Sequence, residues 1–195
     1  MSARLQITNK LKNNMKFINI VKLLTSIIIC ELAGVLGSLF TMPKIGAWYK
    51  TLNKPSFNPP NWIFGPVWTT LFLLMGISLY LVWIKNWEPE NKIFSSGKKV
   101  WNKWSQKFFE GKWEKLNIIL IFVLQLVLNI LWSVIFFGMQ SPGIAFFVLL
   151  MLWFAILYTI INFYRVSKIA AYLLLPYILW VSFAGILNYF LWILN

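Results

Sequence analysis

The sequence lacks several residue types on which many enzymes and metal proteins depend. Its 195 residues include no His and no Asp, a single Cys at position 30, and five acidic side chains, all of them Glu. These absences exclude a histidine general acid/base site, a Ser-His-Asp triad, a Cys/His zinc site and a disulfide within one chain. We therefore expect no metal site and no cofactor.

Charge is also scarce. Charged residues make up 12% of the chain, hydrophobic residues 59% and aromatic residues 18%, including 12 Trp. A water-facing surface needs roughly a quarter charged residues, so this composition excludes an ordinary soluble domain, and its apolar content excludes a disordered chain. The length allows about five membrane spans of about 20 residues each, joined by short loops.

Five apolar stretches predict five transmembrane helices. Backbone polar groups find no partner in lipid, so each stretch is expected to be helical, and the stretches are too long and too uniformly apolar for barrel strands. The turn signal Gln140-Ser141-Pro142-Gly143 divides the longest uncharged run, and Pro176 is expected to kink the last helix. The predicted fold is an all-α integral membrane bundle, and the predicted spans are 23–41, 66–84, 116–139, 143–164 and 169–195.

The distribution of Lys and Arg predicts the orientation of the bundle. If the spans alternate in direction, fifteen of the 18 basic residues lie on the side of the N-terminus, and only the lysines of the first loop lie on the other side. By the positive-inside rule, the N-terminus is cytoplasmic and the C-terminus outside. This topology and contact with anionic lipid headgroups account for the net charge of +13 without nucleic-acid binding.

We expect one transmembrane domain over 23–195, preceded by a basic cytoplasmic segment over 1–22. Within the domain, the long basic loop 85–115 carries Val100, Trp101, Trp104 and Phe108 at helical spacing. This spacing favours a short amphipathic helix on the membrane surface, with a solvated loop as the alternative.

The first loop, 43–65, contains several prolines and aromatic residues. Pro55, Pro59 and Pro60 restrict the backbone and indicate a stiff segment. Two interpretations remain open: a connection tethered by interfacial Trp and Tyr side chains, or a lid over a cavity.

Polar and aromatic side chains recur at helical spacing inside the spans. They are Gln125, Asn129 and Trp132 in the third span, Trp180, Ala184 and Asn188 in the fifth, and Trp68 and Phe72 in the second. Polar groups in a bilayer should face the bundle interior. They either form interhelical hydrogen bonds or line a cavity suited to a flat apolar ligand. The intramembrane Glu31 has no charged partner in any span, and Gly34 and Gly37 indicate a close helix contact.

These motifs together resemble the TspO/MBR family, which includes the tryptophan-rich sensory proteins and the mitochondrial translocator protein. The resemblance covers about residues 23–195 apart from the second loop. It rests on four motifs: Trp48-Tyr49 with Lys54-Pro55-Ser56-Phe57-x-Pro59-Pro60-x-Trp62-x-Phe64-x-Pro66-x-Trp68; Met75-Gly76-x-x-x-Tyr80-x-x-Trp83; Gln125-Leu126-x-Leu128-Asn129-x-x-Trp132-Ser133-x-x-Phe136-Phe137; and Leu175-Pro176-Tyr177-x-x-Trp180-x-x-Phe183-Ala184-x-x-Leu187-Asn188.

The resemblance implies a membrane protein that binds porphyrins, or sterol-like and other flat apolar molecules, as a sensor or carrier, and that often forms a homodimer. The pocket would lie between the helices and under the first loop. An alternative is light-dependent porphyrin degradation, with Trp68 and Trp180 as the catalytic candidates. By motif match, the ligand-binding residues would be Tyr49, Pro59, Trp68, Phe72, Asn129, Trp132, Trp180, Ala184 and Asn188.

Two features depart from the family pattern. The family's sterol motif needs a basic residue near the C-terminus, whereas nothing basic follows Lys168. The second loop also looks longer and more basic than the family's usual connection. A transporter with alternating access is disfavoured because the sequence shows no inverted repeat.

Overall fold

The computed structural model describes the backbone of residues 2–85 and 100–195 and the side chains of residues 16–85 and 116–195. In this part of the chain the regular structure is entirely helical, which confirms the all-α class. The helices are α1 (Ser2–Ile45), α2 (Trp48–Thr51), α3 (Asn61–Trp83), α4 (Val100–Ser133), α5 (Pro142–Val166), α6 (Lys168–Leu173) and α7 (Leu175–Ile193). A five-residue π-helical segment, Val134–Gly138, continues α4.

Five helical stretches in the described residues are long and apolar enough to cross a bilayer, as predicted. The first two are longer than expected, because α1 continues through Pro43 and α3 begins at Asn61, ahead of Pro66. A proline near a helix end removes at most one hydrogen bond, so these two prolines do not end the helices. The stretches are Lys16–Ile45, Asn61–Trp83, Leu116–Gly138, Pro142–Val166 and Lys168–Ile193.

The fifth span is interrupted near Pro176, as its sequence predicts. Helix α6 ends at Leu173, and α7 begins at Leu175 with Pro176 in its first turn. A proline in a first turn loses nothing, because the N–H that it lacks would have no partner within the helix. Helix α6 packs against both α5 and α3, whereas α7 packs mainly against α5.

The spans pack in a closed order, in which α1 lies between α3 and α4, and α5 lies between α4 and the α6–α7 pair. Two contacts bring the helices together at the end away from α2. The Ser78 hydroxyl donates a hydrogen bond of 2.7 Å to the Ala170 carbonyl, joining α3 to α6. Gly76 lies so close to α1 that a Cβ there would come within 2.6 Å of Ile27 Cα. We call this end of the bundle the closed end and the α2 end the lid end.

The amphipathic helix predicted in the second loop needs a correction. Residues 86–99 lie outside the described residues, but the backbone from Val100 to Ser133 is one helix of 34 residues. The segment over 100–108 is therefore continuous with the third span and is not a separate short helix. No proline interrupts residues 100–133, so nothing in the backbone chemistry ends the helix there.

Candidate functional site

A cavity of about 450 Å³ lies between α1, α3, α4 and α7, beneath the segment that joins α1 to α3. In the described part of the chain the backbones of α3 and α7 do not pack closely, and the two helices meet through side chains, such as the Phe64 and Trp180 rings with centroids 6.0 Å apart. Of the nine predicted site residues, Pro59 does not line the cavity. The structure brings the other eight together there: Tyr49, Trp68, Phe72, Asn129, Trp132, Trp180, Ala184 and Asn188.

Nine of the 26 residues that line the cavity carry aromatic rings. The Trp132 ring stacks on Phe136, with ring centroids 5.2 Å apart and planes inclined by 25°. The ring centroids of Trp68 and Trp132 are 6.4 Å apart, and those of Trp180 and Phe183 are 5.5 Å apart. The successive residues Phe136 and Phe137 both line the cavity from the π-helical segment. Stacked and tilted rings of this kind can pack against a flat aromatic molecule.

Helix α1 lines the cavity with side chains that the aromatic pattern did not reveal. Its lining residues include Glu31, Gly34, Gly37, Ser38 and Thr41, none of which carries a ring. Glu31, Gly34 and Gly37 follow one another at intervals of three, and Ser38 and Thr41 lie four and seven positions after Gly34, so the set shares one helix face. This spacing was the signal that could have identified them.

The two glycines of α1 make the close helix contacts that their spacing indicated. A Cβ at Gly34 would come within 2.6 Å of Phe72 ring atoms, and a Cβ at Gly37 would lie 3.1 Å from Ser133 Oγ. The absence of a side chain at Gly34 therefore allows the Phe72 ring to pack against the α1 backbone. This contact positions one of the predicted site residues.

Several polar side chains at the cavity are already paired with one another. The Trp132 indole N–H donates to Asn188 Oδ1 at 2.9 Å, and Asn188 Nδ2 donates to the Pro142 carbonyl at 2.7 Å. Asn129 Nδ2 donates to the Tyr177 hydroxyl at 2.9 Å. The sequence left two roles open for these polar residues, interhelical hydrogen bonding and lining of a cavity. The structure shows both roles, because the hydrogen-bonded side chains also line the cavity.

Two buried polar side chains have no hydrogen-bond partner among the described residues. The Trp180 indole nitrogen is one of them, and Trp180 lines the cavity. The other is Gln125, which is fully buried, leaves both amide atoms unpaired and does not line the cavity. A buried donor without a partner is costly, so the Trp180 N–H is available to a hydrogen-bond acceptor on a ligand.

The segment over 46–60 covers the cavity as a lid. Tyr49, 4% exposed, lines the cavity from this lid, and its hydroxyl donates to Asn58 Oδ1 at 2.8 Å. Phe57 meets the rings of Phe183 and Phe190 at 6.4 and 5.3 Å. Burial raises the pKa of Tyr49 to about 12, although its hydrogen bond to Asn58 opposes this.

A reciprocal pair of asparagines fastens the lid to the end of α7. The Asn53 backbone N–H donates to Asn195 Oδ1 at 2.9 Å, and Asn195 Nδ2 donates to the Asn53 carbonyl at 3.1 Å. Asn53 Nδ2 also donates to the Leu194 carbonyl at 3.2 Å. These three bonds and the buried Tyr49 support the lid interpretation of the first loop.

Together, the fold and the cavity define an integral multi-pass membrane protein with an aromatic chamber beneath a fastened lid. The sequence profile of the TspO/MBR family matches residues 26–193, and the chain belongs to this family.

Relatives in three distant organisms support the assignment. The chain is 42% identical over 169 residues to a tryptophan-rich protein TspO of Chlorobaculum tepidum, covering 86% of this chain and 91% of that one. It is 39% identical over 177 residues to the protein of the same name in Archaeoglobus fulgidus, covering 91% and 99%. It is 37% identical over 163 residues to the human translocator protein, covering 83% of each chain.

Proposed function

We propose that this protein binds a porphyrin or a related flat apolar molecule in the aromatic cavity and acts as a sensor or carrier for it. The observation that carries the proposal is the convergence of Trp68, Trp132 and Trp180 on one cavity of about 450 Å³. Ligand pockets of drug-sized molecules typically fall between about 300 and 1,000 Å³ and are lined by apolar and aromatic side chains. The name of the human relative, translocator protein, is consistent with a carrier.

The side chains at the cavity divide into two roles in this proposal. Trp68, Phe72 and Trp180 contact the ligand with their rings, and Trp180 also offers its unpaired N–H. Trp132 and Asn188 hold α4 to α7 through their mutual hydrogen bond and also form part of the wall.

The remaining proposed site residues surround the ligand. Tyr49 closes the cavity from the lid, Ala184 leaves space because its side chain is small, and Asn129 presents its side-chain oxygen, since only its Nδ2 is hydrogen-bonded. Pro59 acts through the stiffness of the lid rather than by contact with the ligand.

We propose further that the lid faces the outside and the N-terminus faces the cytoplasm, in accordance with the distribution of Lys and Arg. The partners are then the ligand, the lipids around the exposed apolar side chains and, from the family resemblance, a second copy of the chain.

The binding proposal is tested by titrating the purified protein with protoporphyrin and following its intrinsic Trp fluorescence. Saturable quenching is expected, with the dissociation constant about tenfold higher in Trp180→Phe, equivalent to about 1.4 kcal/mol. Trp153→Phe is the matched control. Trp153 lies outside the cavity lining, and its indole N–H is paired with Ser182 Oγ at 2.8 Å. Absence of saturable quenching in the wild-type protein would overturn the proposal.

The second candidate function is light- and oxygen-dependent porphyrin breakdown. It is favoured by one observation, namely that Trp68 and Trp180 both line the cavity from facing helices. Illumination of the aerobic complex should then bleach the porphyrin, and a Trp68→Phe, Trp180→Phe double variant that still binds porphyrin should not. An unchanged bleaching rate in that variant would eliminate this function.

A further inference from the structure

The acidic side chain of Glu31 lies inside the membrane and lines the aromatic cavity. It is the only acidic side chain in the described ranges 16–85 and 116–195. It forms no hydrogen bond or ion pair with any described residue. An ionisable residue within a transmembrane helix is costly and usually serves a function, because lipid offers its charge no compensation.

Glu31 lies at the closed end of the cavity. It precedes Gly34 by three residues and therefore shares a helix face with the position against which the Phe72 ring packs. Ile45, the last α1 residue of the cavity lining, lies 14 residues further on, which corresponds to about 21 Å along the helix. The carboxyl group and the lid thus occupy opposite ends of an elongated site.

The two hydroxyl groups that α1 contributes to the lining already donate hydrogen bonds within α1. The Ser38 hydroxyl donates to the Val35 carbonyl at 2.7 Å, and the Thr41 hydroxyl donates to the Gly37 carbonyl at 3.1 Å. Both hydroxyl protons are therefore used within α1. The Glu31 carboxyl remains as the unpaired acidic group of this wall.

Charged side chains of opposite sign lie towards the two ends of the site: Glu31 belongs to the cavity lining, whereas the lysines of the lid lie outside the lining. The residues between Ile45 and Asn61 include two lysines, Lys50 and Lys54, and no acidic residue. An anionic group on a ligand is therefore favoured near the lid and repelled at the closed end, while a cationic group has the opposite preference.

We propose that Glu31 forms a cation subsite at the closed end of the cavity, which selects flat aromatic ligands that carry a protonated nitrogen at one end. The inference rests on the proposed function, because it assumes that a flat aromatic molecule occupies the cavity. A protonated amine that meets the carboxyl group compensates its charge in a medium of low dielectric constant, where such a pair is stronger than in water. A ligand that carries carboxylates binds in the reverse sense, with its anionic edge beneath the lid.

The test uses three anthracenes of similar size that differ in charge. They are 9-(aminomethyl)anthracene as the cation, 9-methylanthracene as the neutral compound and 9-anthraceneacetate as the anion. Binding to the full chain in detergent micelles is followed by energy transfer from Trp to anthracene. In wild-type protein the cation should bind at least about tenfold more tightly than the neutral compound, a difference of about 1.4 kcal/mol.

Glu31→Gln keeps the shape of the side chain and removes its charge. In this variant the cation should lose its advantage, so that the affinities for the cation and for 9-methylanthracene agree within about twofold. Glu31→Asp should restore part of the preference. Leu32→Gln, which changes the neighbouring and 52% exposed position, is the matched control and should keep the full preference.

The inference is overturned if wild-type protein binds the cation no more tightly than the neutral compound, if it binds no anthracene, or if Glu31→Gln retains the preference. Protoporphyrin quenching in the same samples separates this failure from that of the proposed function. Saturable porphyrin binding without a cation preference removes only the subsite, whereas absence of porphyrin binding removes the proposed function.

Discussion

Trp132 and Asn188 join α4 to α7 through a hydrogen bond of 2.9 Å from the indole Nε1–H to Oδ1. Asn188 uses its other amide atom to donate to the Pro142 carbonyl at the start of α5, so one side chain connects three helices. Asn188 is 1% exposed, so both bonds are buried within the bundle. The pair therefore holds the cavity wall in a defined shape before any ligand arrives.

Asn188→Leu should destabilise the bundle. The substitution replaces the amide with an apolar side chain of similar size, so the Trp132 N–H loses its acceptor and the Pro142 carbonyl loses the bond from Asn188. We expect the free energy of unfolding to fall by about 1–3 kcal/mol, which lowers the Tm by about 2–4 °C for each kcal/mol. Thermal unfolding in detergent measures this. Tyr189→Phe, at the next and exposed position, is the control, and equal Tm values for the two variants would contradict the prediction.

The close approach of α1 and α3 predicts opposite effects of alanine at two glycines of α3. A Cβ at Gly76 would come within 2.6 Å of Ile27 Cα, whereas a Cβ at Gly65 would meet no atom within 4 Å. Gly76→Ala must push two helix backbones apart and should cost about 1–3 kcal/mol. Gly65→Ala should leave stability unchanged or raise it by up to about 1 kcal/mol, because alanine favours the helix.

The same thermal unfolding assay compares the two glycine variants. A Gly76→Ala protein as stable as the wild type would show that α1 and α3 do not approach as closely as described here.

The bonds between Asn53 and Asn195 predict how fast a ligand leaves. Asn195→Ala removes both hydrogen bonds between these two residues that involve the Asn195 side chain. The lid should then open more often, and protoporphyrin should dissociate about 5- to 10-fold faster, since each bond contributes about 1 kcal/mol at most at an exposed site. Stopped-flow release into an excess of albumin measures this rate.

Ser56→Ala provides the control for the lid experiment, because Ser56 is exposed in the same segment and forms no hydrogen bond with a described residue. The prediction fails if the two variants release porphyrin at the same rate.

The burial of Tyr49 predicts a loss of stability in alkaline solution. Its pKa is raised from 10.0 to about 12 in the folded protein, so between these pH values the unfolded chain loses a proton that the folded protein keeps. The contribution of Tyr49 is therefore complete below pH 10 and falls by up to about 2 kcal/mol as the pH rises to 12. The measured quantity is the difference in the free energy of unfolding between wild type and Tyr49→Phe, followed with pH. A difference that stays constant above pH 10 would refute the prediction.

The sequence predicted one side of the cavity better than the other. Trp68, Trp132 and Trp180 stand out because indole rings and amides recur at helical spacing in apolar spans. The α1 wall carries no rings or amides, so only the helical spacing of its small and hydroxyl residues marks it, and such residues are also ordinary in a packed membrane helix. Pro59 was included from its motif, yet a proline can stiffen a lid without touching what lies beneath it.

The sequence also predicted some helix ends better than others. Pro176 marked the break in the fifth span correctly, because a proline acts on its own helix. The expected bounds came from apolar stretches, and the helices extend beyond them through Pro43 and ahead of Pro66, since a proline near a terminus is compatible with a helix. The predicted surface helix over 100–108 continues into the third span. An amphipathic pattern cannot show whether a helical segment is separate or continuous with the next helix.

The sequence alone determined the membrane class, the five spans and the break near Pro176. These properties depend on how each segment meets lipid and on its own backbone, so local composition is sufficient to predict them. Only the tertiary structure decided that Trp132 pairs with Asn188, that the Trp180 N–H has no partner among the described residues, and that Glu31 lines the same cavity. Those relationships join helices far apart in the chain, and hydrogen bonds between them depend on distances that no local pattern encodes.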